Sequence, residues 1–212
     1  MGRIRSFIAL DLPEGVKDEI AAWQRAELSD PALWATDRGA LHATLCFLGN
    51  LDESQVAEVE AVLADVEPGA VEMRLEARPR PLPPRGRPRL FTLAAPSEDA
   101  VRLQAELSEL LVARGLYTPG ERKFWPHITV ARVRPERRAT SVGRRRVGPP
   151  MRVAAALGPL HDAVLGPFKA VRLTFYRSNL RSQGAEYVPL ASIDLTSRRK
   201  GPDAEGVIKE DG

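Results

Sequence analysis

The chain has 212 residues, 43% apolar and 28% charged, with a formal net charge of +3, which suits one domain or two small lobes around a proper core and excludes a chain too polar to fold. Basic residues are almost all arginine, with lysine only at 17, 123, 169, 200 and 209, so the composition admits an anionic ligand without requiring one. The single cysteine, Cys46, excludes a disulfide framework and a thiolate zinc site, and no apolar stretch is long enough for a signal peptide or a membrane span, which points to a cytoplasmic protein with no membrane partner.

In chain order, residues 4–10 are rich in β-formers and stop at Asp11-Leu12-Pro13, predicting a strand, a turn and then a helix over 14–28. Asp30-Pro31 breaks the chain. Residues 41–48 form the next predicted strand, closed by Gly49-Asn50, and 53–66 read as a helix with Val56, Val59, Val62, Leu63 and Val66 near helical spacing. Strands are expected at 71–77 and 90–94. The proline-rich stretch 78–89 between them is expected to be an irregular linker, because proline lacks an amide donor and fixes φ.

Ser97 is a candidate N-cap, with Glu98 and Asp99 in the first turn of a helix running to Arg114 and ending at Gly115. Residues 125–132 form a second predicted strand with a histidine. The arginine-rich stretch 134–150 has no apolar period and reads as an irregular connection, and a short helix is expected at 153–165. Strands at 170–176 and 186–195 close a single domain over 1–196. The charged, glycine-containing tail 197–212 is expected to be disordered. The order strand, helix, strand, helix, strand occurs roughly twice, so the expected fold is α+β. It is a bilobal, pseudo-duplicated arrangement of two mainly antiparallel sheets facing across a central cleft, with helices outside.

Two of the three histidines occupy the same frame, His42-Ala43-Thr44-Leu45 and His127-Ile128-Thr129-Val130. Imidazole is the one side chain whose ordinary pKa, about 6.5, suits it to both acid and base work near neutrality. Strand alternation puts His42 with Thr44 on one face and Ala43, Leu45 and Phe47 on the other, and it treats His127 and Thr129 alike. The same alternation assigns Cys46 to the histidine face and Arg132 to the opposite one. A lone strand histidine is more often structural than catalytic. The repeated frame, with matching apolar flanks, favours function, as two His-plus-Thr pairs would make a cradle for a tetrahedral anion such as phosphate.

The two frames resemble those of the two-histidine phosphoesterases, in particular the RNA 2′,3′-cyclic phosphodiesterase (2′-5′ RNA ligase-like) branch. The resemblance extends to Arg5-Ser6-Phe7-Ile8-Ala9-Leu10, to Leu41-His42-Ala43-Thr44-Leu45-Cys46-Phe47-Leu48-Gly49, to Trp125-Pro126-His127-Ile128-Thr129-Val130-Ala131-Arg132, and to Leu173-Thr174-Phe175-Tyr176-Arg177-Ser178-Asn179-Leu180 with Gly184-Ala185-Glu186-Tyr187. It implies metal-independent, cofactor-free hydrolysis of an RNA or nucleotide 2′,3′-cyclic phosphate to a 2′-phosphate. His42 would be the proton donor and His127 the proton acceptor, although the near symmetry allows the roles to exchange. Thr44, Thr129 and Arg132 would hold the phosphate, Arg132 on the strength of the resemblance alone. Position 46, often basic in such proteins, is cysteine here. Reversible 2′-5′ RNA ligation would be the same chemistry run backwards.

The expected partner is an RNA or oligonucleotide with a 2′,3′-cyclic phosphate end, met by a monomer. The alternatives are a non-catalytic RNA-binding module, indifferent to loss of the histidines, and a phosphodiesterase acting on a non-RNA cyclic nucleotide. A phosphate-binding glycine loop ending in Lys-Ser or Lys-Thr is absent, which disfavours a kinase or an ATP-dependent ligase. Phe7, Trp34, Trp125 and Tyr176 are candidate base-stacking groups. His161 reads as a surface or packing residue, and the arginines at 137, 138, 144, 145 and 146 as a solvated loop able to steer RNA.

Overall fold

A computed structural model describes residues 3–138, 146–154, 156–181 and 184–196. In chain order the elements are β1 (Ile4–Asp11), α1 (Glu14–Glu27), β2 (Leu33–Ala35), a 3₁₀ turn (Arg38–Ala40), β3 (His42–Leu51), α2 (Glu53–Asp65), β4 (Glu72–Met73), β5 (Arg80–Leu82), β6 (Leu90–Ala94) and α3 (Glu98–Ala113). They continue with β7 (His127–Val133), β8 (Pro135–Arg138), β9 (Arg146–Pro150), a 3₁₀ turn (Asp162–Val164), β10 (Phe168–Lys169), β11 (Arg172–Arg181) and β12 (Gly184–Asp194).

The three helices match the predicted ones within a residue or two, and their caps show why. Asp52 and Gln55 form a reciprocal capping box at the start of α2. Ser97 Oγ accepts from Ala100 N at 3.0 Å to open α3. Gly115, at φ +66, closes α3 while Leu116 N donates back to Leu111 O at 2.9 Å.

The fold is α+β with antiparallel pairing throughout. The main sheet runs β12-β11-β1-β3-β7-β6-β5, with β2 also paired to β7. It consists of two four-stranded halves, because β3 and β7 meet at a single residue pair, Ala43 opposite Ile128. Those are the middle residues of the two histidine frames. Antiparallel register about that pair places His42 beside Thr129 and Thr44 beside His127.

One face of both halves is apolar and packs under the helices. Ile8, Leu10, Ala43, Leu93, Ile128 and Val130 join Ile20, Trp23, Val59, Val62, Leu103, Leu107 and Leu111 in one core. The opposite face carries the histidines and threonines.

Four connections differ from expectation. The linker 78–89 contains β5, which pairs with β6 through Arg80–Thr92 and Leu82–Leu90; its Pro81 is tolerated because β5 is the edge of the sheet. The expected strand over 71–77 shrinks to β4, paired only with β10. The arginine-rich stretch 134–150 holds the antiparallel pair β8–β9. The expected helix at 153–165 is reduced to the 3₁₀ turn, because its backbone finds partners elsewhere. Trp23 Nε1 donates to Gly158 O, Gly158 N donates to Glu27 Oε2, and Leu160 N donates to Ala77 O. Residues 144 and 145 and the tail 197–212 lie outside the described residues.

Candidate active site

The two frames are built alike. His42 Nδ1 donates to Ala40 O at 2.8 Å and His127 Nδ1 donates to Trp125 O at 3.0 Å, in each case the carbonyl two residues earlier. Since a carbonyl only accepts, this fixes Nδ1–H in both rings and leaves each Nε2 for chemistry. Thr44 Oγ1 lies 3.0 Å from His42 Nε2 and can donate to it when the ring is neutral.

Each ring is also held by aromatic neighbours. His42 stacks on Phe7, with centroids 4.8 Å apart, and meets Tyr187 edge-on at 5.2 Å; His127 stacks on Trp125 at 4.3 Å. Phe7, Trp125 and Tyr176 are therefore engaged around the histidines: Tyr176 stacks on Phe7 at 5.3 Å and its hydroxyl is bound to Asp11. Trp34 is 42% exposed with the Arg134 guanidinium over its ring. His161 is exposed, as expected.

Arg132 reaches the histidine face, against strict alternation but in keeping with the family resemblance. On the β6 side, Thr129 faces Thr92 and Ala131 faces Phe91, so Val130 is an extra residue in the ladder, a one-residue bulge. Burial along β7 follows suit. His127 and Thr129 are half-buried, Ile128 and Val130 are buried, Ala131 is buried in turn, and Arg132 is exposed. The carbonyl of Val130 accepts from Thr36 N at 3.0 Å and from Gln24 Nε2 at 2.7 Å, and Gln24 Nε2 also donates to Thr36 O at 2.9 Å.

β3 has the same bulge. Thr44 faces Ala9 and Cys46 faces Ile8, so Leu45 is extra. Two expectations are thereby corrected. Cys46 does not share the histidine face; it is fully buried in the core, where desolvation pushes its thiol up to about 12. Phe47, expected to face the core, instead stands 46% exposed on the cleft side with the Arg5 guanidinium 4.4 Å from its ring centroid. Phe47 thus occupies in the first half the place of Arg132 in the second.

A cavity of about 150 Å³ opens here, lined by His42, Thr44, Thr129 and Arg132 together with Arg5, Phe7, Thr36, Ala40, Phe47, Ser178 and Tyr187. Four of the five predicted residues meet in it. His127 does not line it, yet the bridge sets it beside Thr44 and its charge is felt at His42. Sequence reading missed Phe47, Arg5, Thr36 and Tyr187.

Although His42 touches the cleft, packing around it is close enough that desolvation pulls its pKa down to about 4. The Ala40 carbonyl and the Asp11 carboxylate act in the opposite sense, while Arg132 and His127 add to the lowering. Among the described residues no three His, Cys, Asp or Glu side chains group so as to hold a metal ion, and no helix is long and apolar enough to cross a membrane.

The profile of the 2′-5′ RNA ligase superfamily matches residues 12–152. A curated relative from Methanocaldococcus jannaschii, named RNA 2′,3′-cyclic phosphodiesterase, is 24% identical over 87% of this chain and 96% of its own. One of the same name from Thermus thermophilus is 28% identical over 96% of each chain. The crystal structure of E. coli LigT in apo form superposes with a TM-score of 0.70 at 20% identity, covering 93% of this chain and all of that one.

Proposed function

Because the chain belongs to the 2′-5′ RNA ligase superfamily, we propose that it is a phosphodiesterase that opens the 2′,3′-cyclic phosphate ends of RNA or nucleotides, leaving a 2′-phosphate. The observation that carries this reading is the junction of the two His-x-Thr frames at Ala43–Ile128, with Arg132 brought to the same face. The relatives named RNA 2′,3′-cyclic phosphodiesterase support it.

In this mechanism the cyclic phosphate binds with its non-bridging oxygens on Thr44, Thr129 and the Arg132 guanidinium. His127 Nε2 takes a proton from water as the water oxygen bonds to phosphorus. The bond from phosphorus to O3′ breaks, and His42 Nε2 delivers a proton to the departing oxygen. Each proton transfer is worth about 10²- to 10⁴-fold, and the donors aimed at the phosphoryl oxygens stabilise charge in the transition state. With an RNA 5′-hydroxyl in place of water, the same site joins ends through a 2′-5′ linkage. The enzyme works as a monomer and needs no metal or cofactor.

One observation favours the exchanged roles. Burial holds His42 neutral near pH 7, which suits a base. As donor it depends on the bound phosphate, whose negative charge favours imidazolium. Activity is to be assayed on a cyclic-phosphate-ended oligonucleotide with His42→Ala and His127→Ala. Both variants should lose turnover while still binding the RNA; wild-type turnover in either overturns the mechanism. If His42 is the donor, activity falls as pH rises through its bound-state pKa, whereas a base role gives activity that rises with pH through about 4.

A further inference from the structure

The two halves repeat around the histidines down to the bulge, and the charged neighbour on the adjoining strand is present in only one of them. Opposite His42 on β1 stands Asp11, whereas opposite His127 on β6 stands Ala94. Asp11 is 3% exposed, and β11 supplies it with three donors. Tyr176 Oη donates to Oδ1 at 2.7 Å, while Thr174 Oγ1 and Arg172 Nε donate to Oδ2 at 3.0 Å and 3.2 Å.

Burying a carboxylate is costly, and the second half packs its equivalent position with a methyl group. The donors also tie Asp11 to the catalytic ring. Tyr176 stacks on Phe7, Phe7 stacks on His42, and Tyr187 meets both Phe7 and His42 edge-on. Burial and the neighbouring carboxylate push the Tyr176 phenol up, so it remains a donor.

We propose that Asp11, held by Tyr176, is the positioning residue that makes His42, rather than His127, the proton donor. This inference rests on the reading of the site as a cyclic phosphodiesterase. Opposite residues of an antiparallel pair lie on one face with Cβ atoms about 5 Å apart, close enough for the Asp11 charge to favour an imidazolium at position 42. Of the other groups around His42, Arg132 and His127 on β7 disfavour it, Arg5 on β1 lines the same cavity with its guanidinium over the Phe47 ring, Arg172 on β11 is paired to Asp11, and Tyr176 and Tyr187 are phenols. His127 has no carboxylate at the matching place, so the symmetry of the cradle is broken in one direction.

The test compares Asp11→Asn and Tyr176→Phe with the parent by pH profiles of kcat and KM on a 2′,3′-cyclic nucleotide. Removing the charge should move the alkaline limb of kcat downward by about one pH unit and lower kcat about tenfold at pH 8, with KM within about threefold. Removing only the tyrosine hydroxyl leaves more of the carboxylate's charge for His42 and should move the limb upward. An unshifted limb in Asp11→Asn, or shifts of the same sign in both variants, overturns the proposal. If Asp11→Asn does not fold, Tyr176→Phe decides alone: an upward shift supports the proposal and an unmoved limb overturns it.

The three histidines allow an independent readout by NMR titration with saturating inorganic phosphate. The His42 signal of Asp11→Asn should titrate lower than the parent's, by more than any change at His127. A parent protein that turns over no cyclic phosphate sinks the functional reading, and the NMR titration still tests the coupling of Asp11 to His42.

Discussion

Gln24 offers a perturbation remote from the chemistry that bears on how the site is shaped. It is 6% exposed on the sheet-facing side of α1, and its amide donates both to Val130 O, the carbonyl of the bulge, and to Thr36 O, just after β2. Gln24→Leu keeps the size and removes both bonds, while Thr36 N still holds Val130 O. At about 1 kcal/mol for each buried hydrogen bond, the loss is about 2 kcal/mol. In a chain of this length that lowers Tm by about 4–8 °C.

Kinetics adds a second expectation. A loosened bulge frees Arg132 to leave the histidine face, so KM for a cyclic phosphate should rise several-fold more than kcat falls. Thermal melts and steady-state kinetics on the purified variant measure both. A variant with an unchanged Tm would refute the claim that Gln24 staples the bulge, and one destabilised as expected but kinetically normal would refute the claim that the bulge positions Arg132.

Further outcomes follow from the same geometry. In the proposed mechanism Thr44→Val, Thr129→Val and Arg132→Leu would each remove a charge-assisted hydrogen bond to phosphate, worth about 1.5–3 kcal/mol, so kcat/KM should fall roughly 10- to 100-fold in each; a variant at parental efficiency removes that residue from the cradle. His42 titrates near 4 when folded, below the ordinary value of about 6.5 for an unfolded chain. The unfolded chain therefore binds the proton first as pH falls, and the stability that neutral His42 represents is complete above about pH 6.5 and drains towards pH 4. Urea denaturation at pH 7 and pH 4.5 should show about 2–3 kcal/mol more loss in the parent than in His42→Asn, and equal losses would contradict the buried setting. Cys46 should not react with a thiol reagent until the protein is unfolded, because it is fully buried and its thiol is pushed up to about 12; prompt labelling of the native protein would place it on the cleft side instead.

Much of this was legible in the chain because the determinants are local. The Ser97 cap, the Gly115 stop and the apolar period of α2 are written in short windows, and two-residue alternation alone puts His42 with Thr44 and His127 with Thr129. Alternation then fails two residues later in both strands. The bulges at Leu45 and Val130 depend on partner strands, the second also on the distant amide of Gln24, and neither leaves a mark in its own tetrapeptide. That one-residue slip sent Cys46 to the core and Phe47 and Arg132 to the cleft. The segment 153–165 failed for a related reason, since Trp23 and Glu27 on α1 take up the backbone groups of Gly158 that a helix would otherwise use. The Asp11 network was hidden because its donors lie more than 160 positions away on β11.

The most direct measurement is the product of one reaction: an oligonucleotide ending in a 2′,3′-cyclic phosphate, incubated with the protein in ¹⁸O-labelled water and analysed by phosphorus NMR and mass spectrometry. The account predicts a single 2′-phosphate end carrying one labelled oxygen, formed by the parent and by neither His42→Ala nor His127→Ala. A 3′-phosphate product, or an unaltered cyclic end with the RNA merely bound, would contradict it.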